Sequence, residues 1–376
     1  QADIDAVIEV LRSDFLTQGP AVPKFEKTVA NYCGAKHAVA ANSSTSALHI
    51  ACLALDLGPG DWLWTSPNTF VASSNCALYC GAKVDFVDTD PLTYNLCPLT
   101  LESKLVVAER EGCLPKVVVP VHLSGQSCDM LAIHELAQRF GFKIIEDASH
   151  AIGGKYKNEA IGNCRYSDIT VFSFHPVKII TTGEGGMALT NDPELANRMV
   201  RNRSHGITSE VDRMQARPEN EIWNYQQISL GFNYRMTDIQ AALGLSQMTR
   251  LDEFVNTRQR IAKRYDEKLA GLPLQTPWQH PDSYSSYHLY PIRLKLGEIE
   301  KTQRQVYDAL HEADILVNLH YIPVYRQPFY ETMGFTAGYC QNAEQYHKEA
   351  LSIPMYPAMS ETQQDRVIQI LSEILA

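Results

Sequence analysis

The chain has 376 residues, of which 45% are hydrophobic, so it is long enough to bury a large core and to divide into two domains. Its 33 lysines and arginines are outnumbered by 43 aspartates and glutamates, which gives a formal net charge of -10. This acidic balance, without any basic block, argues against nucleic acid or an anionic membrane as a partner. No apolar run approaches the roughly 20 residues that a membrane span requires.

The nine cysteines are scattered singly along the chain, which is typical of reduced thiols and predicts a cytoplasmic protein. Neither they nor the 12 histidines show the spacing of a metal site, so no metal is predicted. No signal peptide is evident. Because the chain begins at Gln1 rather than at a methionine, we expect a short native leader to have been removed.

Between about residues 30 and 200, short strands rich in valine and isoleucine alternate with helical segments. This order predicts an α/β fold with a mostly parallel sheet flanked by helices, in which ligands bind at the carboxyl ends of the strands. The predicted strands are 37–43, 83–90, 116–123, 142–149 and 169–175, and the predicted helices are 45–57, 70–80, 129–140 and 193–203.

The remainder of the chain has a different pattern. A long amphipathic stretch at 236–268 predicts one connecting helix, 287–294 and 313–323 predict strands, and 361–375 predicts a final helix. We therefore expect a large α/β domain at 1–250 and a smaller α+β domain at 251–376.

One lysine lies in an unusual sequence, SFHPVKIITTGEGG at 173–186. The neighbours of Lys178 are largely aromatic, apolar or glycine, so its ammonium is expected to be partly desolvated. Desolvation lowers the pKa of a lysine, and a lysine that can lose its proton becomes a nucleophilic amine.

The predicted strand at 142–149 ends in polar residues, and the sequence EDASH there contains Asp147. Alone, Asp147 could equally be a helix cap. Together with a nucleophilic Lys178 at the same edge of the sheet, it matches the requirement of pyridoxal 5'-phosphate (PLP). The lysine binds the cofactor aldehyde and the carboxylate keeps the pyridine nitrogen protonated.

A phosphate-binding segment is also present. The sequence NSSTSAL at 42–48 follows the first strand and opens a helix, so its hydroxyls and free backbone N–H groups suit a phosphate. Taken alone, a cluster of this kind before a helix more often serves simple capping. Ser173 offers a second hydroxyl near the lysine, and Phe70 offers a flat face for a ring. A nicotinamide enzyme and a P-loop NTPase are excluded, because neither GxGxxG nor GxxxxGK[ST] occurs. The glycines at 183–186 predict a turn that lets the backbone approach the cofactor.

These residues resemble the DegT/StrS family of PLP-dependent nucleotide-sugar aminotransferases, and the resemblance extends over almost the whole chain. The motifs that carry it include LTQGPAVPKFE (16–26), PVHLSGQSCDM (120–130), EDASHAIGGKYKNEAIG (146–162), the lysine motif, LGFNYRMTDIQAALGLSQ (230–247) and HYIPVY (320–325). The resemblance implies the fold of a type I aminotransferase.

The resemblance also implies roles. Lys178 is the catalytic lysine, Asp147 pairs with the pyridine nitrogen, His150 lies near the ring hydroxyl and Phe70 stacks on the ring. The phosphate is bound by Ser44, Thr45 and Ser173, and by Asn233 from the other subunit of a homodimer. The sugar-nucleotide pocket is lined by Thr17, Gln126, His320, Tyr321 and Pro323.

The substrate implied by the resemblance is a UDP-linked 4-keto-6-deoxy-N-acetyl-hexosamine, aminated at C4 with L-glutamate as donor. The phrases SYHLYPI and HYIPVYRQPFY most resemble the branch of pseudaminic acid biosynthesis. A GDP- or dTDP-linked keto sugar is the alternative, and a non-catalytic regulatory homologue is a further one. Ser124 stands where the family commonly has tyrosine, and an N-terminal strand is expected before position 1. The presence of a lysine rather than a histidine at 178 favours transamination over deoxygenation.

Overall fold

The structure is a computed structural model that describes residues 1–216 and 225–376. Its strands, in chain order, are β1 His37–Ala41, β2 Trp62–Thr65, β3 Lys83–Phe86, β4 Val117–Val119, β5 Lys143–Asp147, β6 Lys155–Tyr156, β7 Glu159–Ala160, β8 Ile169–Ser173, β9 Gly186–Thr190, β10 Ile207–Thr208, β11 Gln226–Gln227, β12 Leu274–Gln275, β13 Ser283–Tyr284, β14 Tyr290–Leu294 and β15 Ala350–Ile353. Its helices are α1 Ala2–Leu11, α2 Ala21–Cys33, α3 Ser44–Ala54, α4 Ala72–Tyr79, α5 Pro98–Glu111, α6 Met130–Phe140, α7 Pro193–Arg203, α8 Asp238–Met248, α9 Leu251–Lys268, α10 Gln303–Glu312, α11 Pro328–Glu331, α12 Gln341–Glu349 and α13 Glu361–Leu375.

A seven-stranded sheet forms the centre of the fold, in the order β1-β9-β8-β5-β4-β2-β3. Six strands run in one direction, and β9 is antiparallel to both of its neighbours. The expected mostly parallel sheet is therefore confirmed, and each of the five predicted strands contributes to it. The sequence analysis missed β2 and β9.

The central sheet is buried on both faces, as a parallel sheet covered by helices must be. Every residue of β4, β8 and β9 is buried. One core joins the sheet to α3, α4 and α7, and another joins it to α2 and α8. The alternation of apolar strands and amphipathic helices therefore folds into three layers.

Two predicted helices begin or break at different residues in the structure. The segment 70–80 becomes helical only at Ala72, so Phe70 lies in the loop before α4. The single helix expected at 236–268 is two helices, α8 and α9, with Thr249 as the C-cap of the first. A capping box between Thr237 and Gln240 begins α8 within the predicted span.

The C-terminal part has its own sheet and its own core. Strands β12, β14 and β15 form an antiparallel sheet, and α9, α10 and α13 pack around it. The strand predicted at 287–294 is present as β14, but the strand predicted at 313–323 was wrong. Only Asn318 makes a bridge there, with Ser352 of β15. A domain boundary at 250 stays a prediction.

Across residues 1–216 and 225–376, no helix has the length and apolar character to cross a bilayer. The same ranges contain no cluster of three or more histidine, cysteine or acidic side chains able to hold a metal ion.

Candidate active site

The carboxyl ends of β1, β5 and β8 lie at one edge of the central sheet because these strands run in parallel. A cavity of about 790 Å³ opens at this edge. Its wall contains eight of the side chains predicted from the sequence: Ser44, Thr45, Phe70, Asp147, His150, Ser173, Lys178 and Tyr321. The fold thus brings together residues that are up to 277 positions apart in the chain.

Lys178 lies in the loop that follows β8, where its backbone N–H donates to the carbonyl oxygen of His175 at 2.9 Å. The side chain is half-buried, and its neighbours Ile179 and Ile180 are buried in the core. Burial lowers the pKa of Lys178 to about 8, although the negative charge of Asp147 acts in the opposite direction. The amine is therefore closer to neutrality at physiological pH than an exposed lysine.

Asp147, the last residue of β5, is 4% exposed and both of its carboxylate oxygens are hydrogen-bonded. Oδ2 accepts from Ser73 Oγ at 2.6 Å, and Oδ1 accepts from the backbone N–H of Ser149 at 3.1 Å. Hydrogen bonds to a carboxylate are strong, so these donors hold its orientation in the cavity wall. A fixed, buried carboxylate is suited to a ring N–H⁺.

The first turn of α3 forms another part of the wall. Ser43 Oγ caps the helix by accepting a hydrogen bond from the N–H of Ser46 at 3.1 Å. The hydroxyls of Ser44 and Thr45 have no partner among the described residues. Ser173, the buried last residue of β8, is close enough to line the same cavity. First-turn N–H groups and free hydroxyls together suit a phosphate monoester.

Gly186, the first residue of β9, allows this arrangement. A Cβ atom at this position would lie 2.4 Å from the backbone nitrogen of Ser44 and 2.5 Å from the carbonyl carbon of Ser43. No side chain fits there, so β9 can approach the start of α3 only with glycine. The sequence analysis expected the backbone at 183–186 to approach the cofactor. In the structure, Gly186 instead lies against the backbone of Ser43 and Ser44 at the start of α3.

Phe70 lies at the mouth of the cavity with 60% of its surface exposed. An exposed aromatic ring in a cavity wall offers a flat apolar face to a ligand. Its stacking on a cofactor ring stays a prediction.

His150 is buried beside Tyr321, and the Nε2 atom of the histidine lies 3.2 Å from the tyrosine hydroxyl. Burial, together with the charges of Lys178 and His320, holds the pKa of His150 well below its usual value. His150 is therefore a neutral hydrogen-bonding group in this wall.

The other predicted site residues lie outside this cavity. Gln126 is buried and already hydrogen-bonded, to the carbonyl oxygen of Trp278 and the N–H of His280. His320 Nδ1 lies 2.9 Å from Ser352 Oγ. Pro323 is buried, whereas Thr17 and Asn233 are exposed. Their binding roles stay predictions.

Two titratable cavity residues were missed by the sequence analysis, His175 and Glu184. His175 Nε2 lies 3.9 Å from Glu184 Oε1, and the carbonyl oxygen of Glu184 accepts from Gln240 Nε2 at 2.8 Å. An acidic residue between two glycines, six positions after the lysine, was a signal that could have found Glu184. It was read only as part of a turn.

The parallel sheet, the half-buried lysine at a strand end and the opposing aspartate define a PLP-dependent enzyme of fold type I. A family model described as the DegT/DnrJ/EryC1/StrS aminotransferase family matches residues 1–372, and the chain belongs to this family. It is a PLP-dependent aminotransferase of nucleotide sugars.

Similar curated proteins cover nearly the whole chain. The spore coat polysaccharide biosynthesis protein SpsC of Bacillus subtilis is 40% identical over 99% of this chain and 94% of its own length. The GDP-perosamine synthase of Caulobacter vibrioides is 37% identical over 99% of this chain and 95% of its own length. The UDP-4-amino-4,6-dideoxy-N-acetyl-beta-L-altrosamine transaminase of Campylobacter jejuni is 37% identical, covering 96% and 91%.

Solved structures show the same fold. Helicobacter pylori PseC, an aminotransferase involved in the biosynthesis of pseudoaminic acid, has a TM-score of 0.89 and 30% identity, covering 100% of this chain and 96% of its own. The PMP-form of the putative sugar aminotransferase Spr1654 from Streptococcus pneumoniae has a TM-score of 0.89 and 28% identity. The match covers 99% of this chain and 96% of that protein.

Proposed function

We propose that this aminotransferase transfers the amino group of L-glutamate to C4 of a UDP-linked 4-keto-6-deoxy-N-acetyl-hexosamine, in a pathway of the pseudaminic acid type. The observation that supports the transfer chemistry is the shared cavity of Lys178 and Asp147. The choice of acceptor is supported by the similarity to the Campylobacter jejuni transaminase and to Helicobacter pylori PseC. A cytoplasmic location stays a prediction.

The residues present fit the cofactor. Ser44, Thr45 and Ser173 would hold its phosphate, and Asp147 would hold its ring nitrogen in the protonated form. Phe70 would cover one face of the ring. When bound, PLP supplies an aldehyde that carries the amino group and a ring that accepts the electrons released at the substrate carbon.

The role of Lys178 follows from its protonation. A pKa of about 8 leaves a fraction of the side chain neutral near pH 7, so Nζ can take a proton from the substrate carbon and return it as an acid. Asp147 lines the same cavity and is held by hydrogen bonds from Ser73 and from the backbone of Ser149. Replacement of Lys178 with alanine should abolish both the visible absorbance of the bound cofactor and multiple turnover. The exposed Lys155→Ala is the matched control. Normal turnover by Lys178→Ala would refute the assignment.

The acceptor is tested with a panel of UDP-, GDP- and dTDP-linked 4-keto sugars. The GDP-perosamine synthase of Caulobacter vibrioides is as similar to this chain as the Campylobacter jejuni enzyme, so a GDP-linked acceptor is the second candidate. We expect kcat/KM to be highest for the UDP-linked N-acetylated sugar, with a product whose mass and NMR spectrum show an amine at C4. A higher kcat/KM for a GDP- or dTDP-linked sugar would contradict the proposal. Thr17, Gln126, His320, Tyr321 and Pro323 are proposed to contact this substrate.

A homodimer with shared sites is also proposed. Asn233 is exposed and does not line the cavity of its own chain. Its backbone forms an isolated β-bridge with that of Ser204. We assign it to the phosphate in the neighbouring subunit. Co-expression of Lys178→Ala and Asn233→Ala chains should then restore activity, because one site of each mixed dimer contains both native residues. Activity no higher than that of the separate variants would contradict shared sites.

A further inference from the structure

His150 is held by hydrogen bonds on both ring nitrogens. Its Nδ1 atom lies 3.3 Å from the backbone nitrogen of Ser124, and its Nε2 atom lies 3.2 Å from the hydroxyl of Tyr321. A backbone N–H can only donate, so Nδ1 must accept and carries no proton. Because burial keeps the ring neutral, its one proton is on Nε2.

This tautomer determines what the tyrosine can do. Since Nε2–H donates, the hydroxyl oxygen of Tyr321 accepts, and its own hydrogen must point to another group. No second partner for this hydroxyl occurs among the described residues, and Tyr321 lines the cavity. Burial and the charge of Asp147 raise the pKa of Tyr321, so the hydroxyl keeps its proton.

A tight turn positions the donor to His150. Ser124 has φ 60° and Gly125 has φ 105°, and a Cβ at Gly125 would lie 2.7 Å from Ser286 Oγ. The same Ser286 Oγ donates to the carbonyl oxygen of His150 at 2.9 Å. The hydroxyl of Ser124 is buried without a partner among the residues that the structure describes, so this residue acts on His150 through its backbone.

We propose that His150 and Tyr321 form a relay that presents one fixed O–H donor to an oxygen acceptor in the cavity, with Tyr321 rather than His150 making the ligand contact. The acceptor is an oxygen of partial or full negative charge. Two groups in the proposed reaction have this chemistry, the ring hydroxyl oxygen of the cofactor and the keto oxygen of the sugar. The inference rests on the cofactor site proposed above, and not on which nucleotide the sugar carries.

Several charged or titratable groups surround the relay. Lys178 and Asp147 act on it from the loop after β8 and the end of β5. The ring of His288 packs against that of His150 in a tilted arrangement with ring centroids 4.4 Å apart, and His320 precedes Tyr321. Burial lowers the pKa of His320 to about 4 and holds that of His288 well below its usual value, so both stay neutral near pH 7.

The test compares Tyr321→Phe with Tyr94→Phe. Both tyrosines belong to the same apolar cluster, but the hydroxyl of Tyr94 is buried and has no partner within 1–216 and 225–376. Cofactor affinity is measured by titrating PLP into the cofactor-free protein, and the pH dependence of the visible absorbance is measured on the holoenzyme. Circular dichroism shows whether each variant is folded.

If the acceptor is the cofactor oxygen, Tyr321→Phe should weaken PLP binding about tenfold, since a hydrogen bond to a charged group is lost. The midpoint of the absorbance change should also rise by about one pH unit, because the anionic oxygen loses a donor. If the acceptor is the keto oxygen, the PLP affinity and the midpoint of the absorbance change should both stay native, and kcat/KM for the keto sugar should fall about tenfold. Tyr321→Phe behaving like Tyr94→Phe in all three measurements would overturn the proposal.

The relay itself is tested with His150→Ala and the double variant. If His150 acts by orienting the Tyr321 hydroxyl, the double variant should be no worse than the worse single variant. His150→Gln, whose amide can still donate to the tyrosine, should recover part of the loss. Additive effects of the two single changes would show that the residues act independently. The PLP titration needs no sugar nucleotide, so a wrong nucleotide assignment cannot affect the cofactor-oxygen outcome. The value of kcat/KM is measured with the keto sugar that the panel identifies as the substrate.

Discussion

The Oδ2 atom of Asp147 lies 2.6 Å from the Oγ atom of Ser73, and both residues are buried. Thr69 Oγ1 lies 2.7 Å from the same Ser73 Oγ and completes a short chain of hydroxyls that ends on the carboxylate. The carboxylate proposed to pair with the cofactor ring is therefore held by α4 as well as by its own strand.

Ser73→Ala should weaken PLP binding by about tenfold, because the carboxylate loses a donor worth about 1.5–3 kcal/mol when the acceptor is charged. The dissociation constant is measured by titrating PLP into the cofactor-free protein. Ser74→Ala is the matched control, since Ser74 Oγ contacts Tyr330 instead. Equal affinities for the two variants would contradict a role for Ser73 in orienting Asp147.

Lys178→Met should stabilise the cofactor-free protein at neutral pH. The pKa of Lys178 is about 8 in the folded protein and about 10.4 in an unfolded chain, so between these values the unfolded state binds more protons and the free energy of unfolding rises with pH. The gain from methionine should be about 3 kcal/mol below pH 8 and vanish above pH 10.5. Urea unfolding of both proteins from pH 7 to 11 measures this difference. A gain that does not change with pH would show that Lys178 titrates normally.

Gly186→Ala should destabilise the protein by at least about 1–3 kcal/mol and weaken phosphate binding, because the added methyl would overlap the backbone of Ser43 and Ser44. Urea unfolding and PLP titration report the two effects. Gly58→Ala makes the same change where no atom lies within 4 Å and should be nearly neutral. Native PLP affinity in Gly186→Ala would mean that the contact between β9 and α3 is not needed for the cofactor.

Glu146→Gln should cost about 1–2 kcal/mol at neutral pH. Burial alone raises the pKa of Glu146, but the hydrogen bond and charge of His122, with Ser167 and Thr170, outweigh it and lower the pKa. The stabilisation is therefore present above about pH 4.5 and is lost as pH falls through the lowered pKa. Urea unfolding from pH 3 to 7 tests this. Glu102→Gln, in an exposed pair with Arg139, should change stability by less than about 0.5 kcal/mol. A cost for Glu146→Gln that stays constant to pH 3 would contradict the assignment.

Four of the five strands predicted in the central sheet contain at least two β-branched residues, and the fifth, at 37–43, contains only Val39. The two strands of the central sheet that the sequence analysis missed carry less of this signal. Strand β2 is the tryptophan-rich WLWT, and β9 begins with the last glycine of a turn and contains only one β-branched residue, Thr190. Likewise, the break between α8 and α9 at Thr249 and Arg250 leaves no proline or glycine to mark it. These features depend on packing against neighbouring elements, which local patterns do not record.

The sequence by itself determined the class of fold, because strands and helices alternate along the chain. It also indicated the lysine, the aspartate and the hydroxyl cluster as candidate site residues, because each follows or ends an apolar strand. Only the tertiary structure decided which of the predicted residues share one cavity, since Tyr321 approaches His150 from 171 positions away. The tautomer of His150 was likewise decided there, by a backbone N–H from another turn. Hydrogen-bond direction depends on the relative placement of distant segments, and no local pattern of residues encodes that placement.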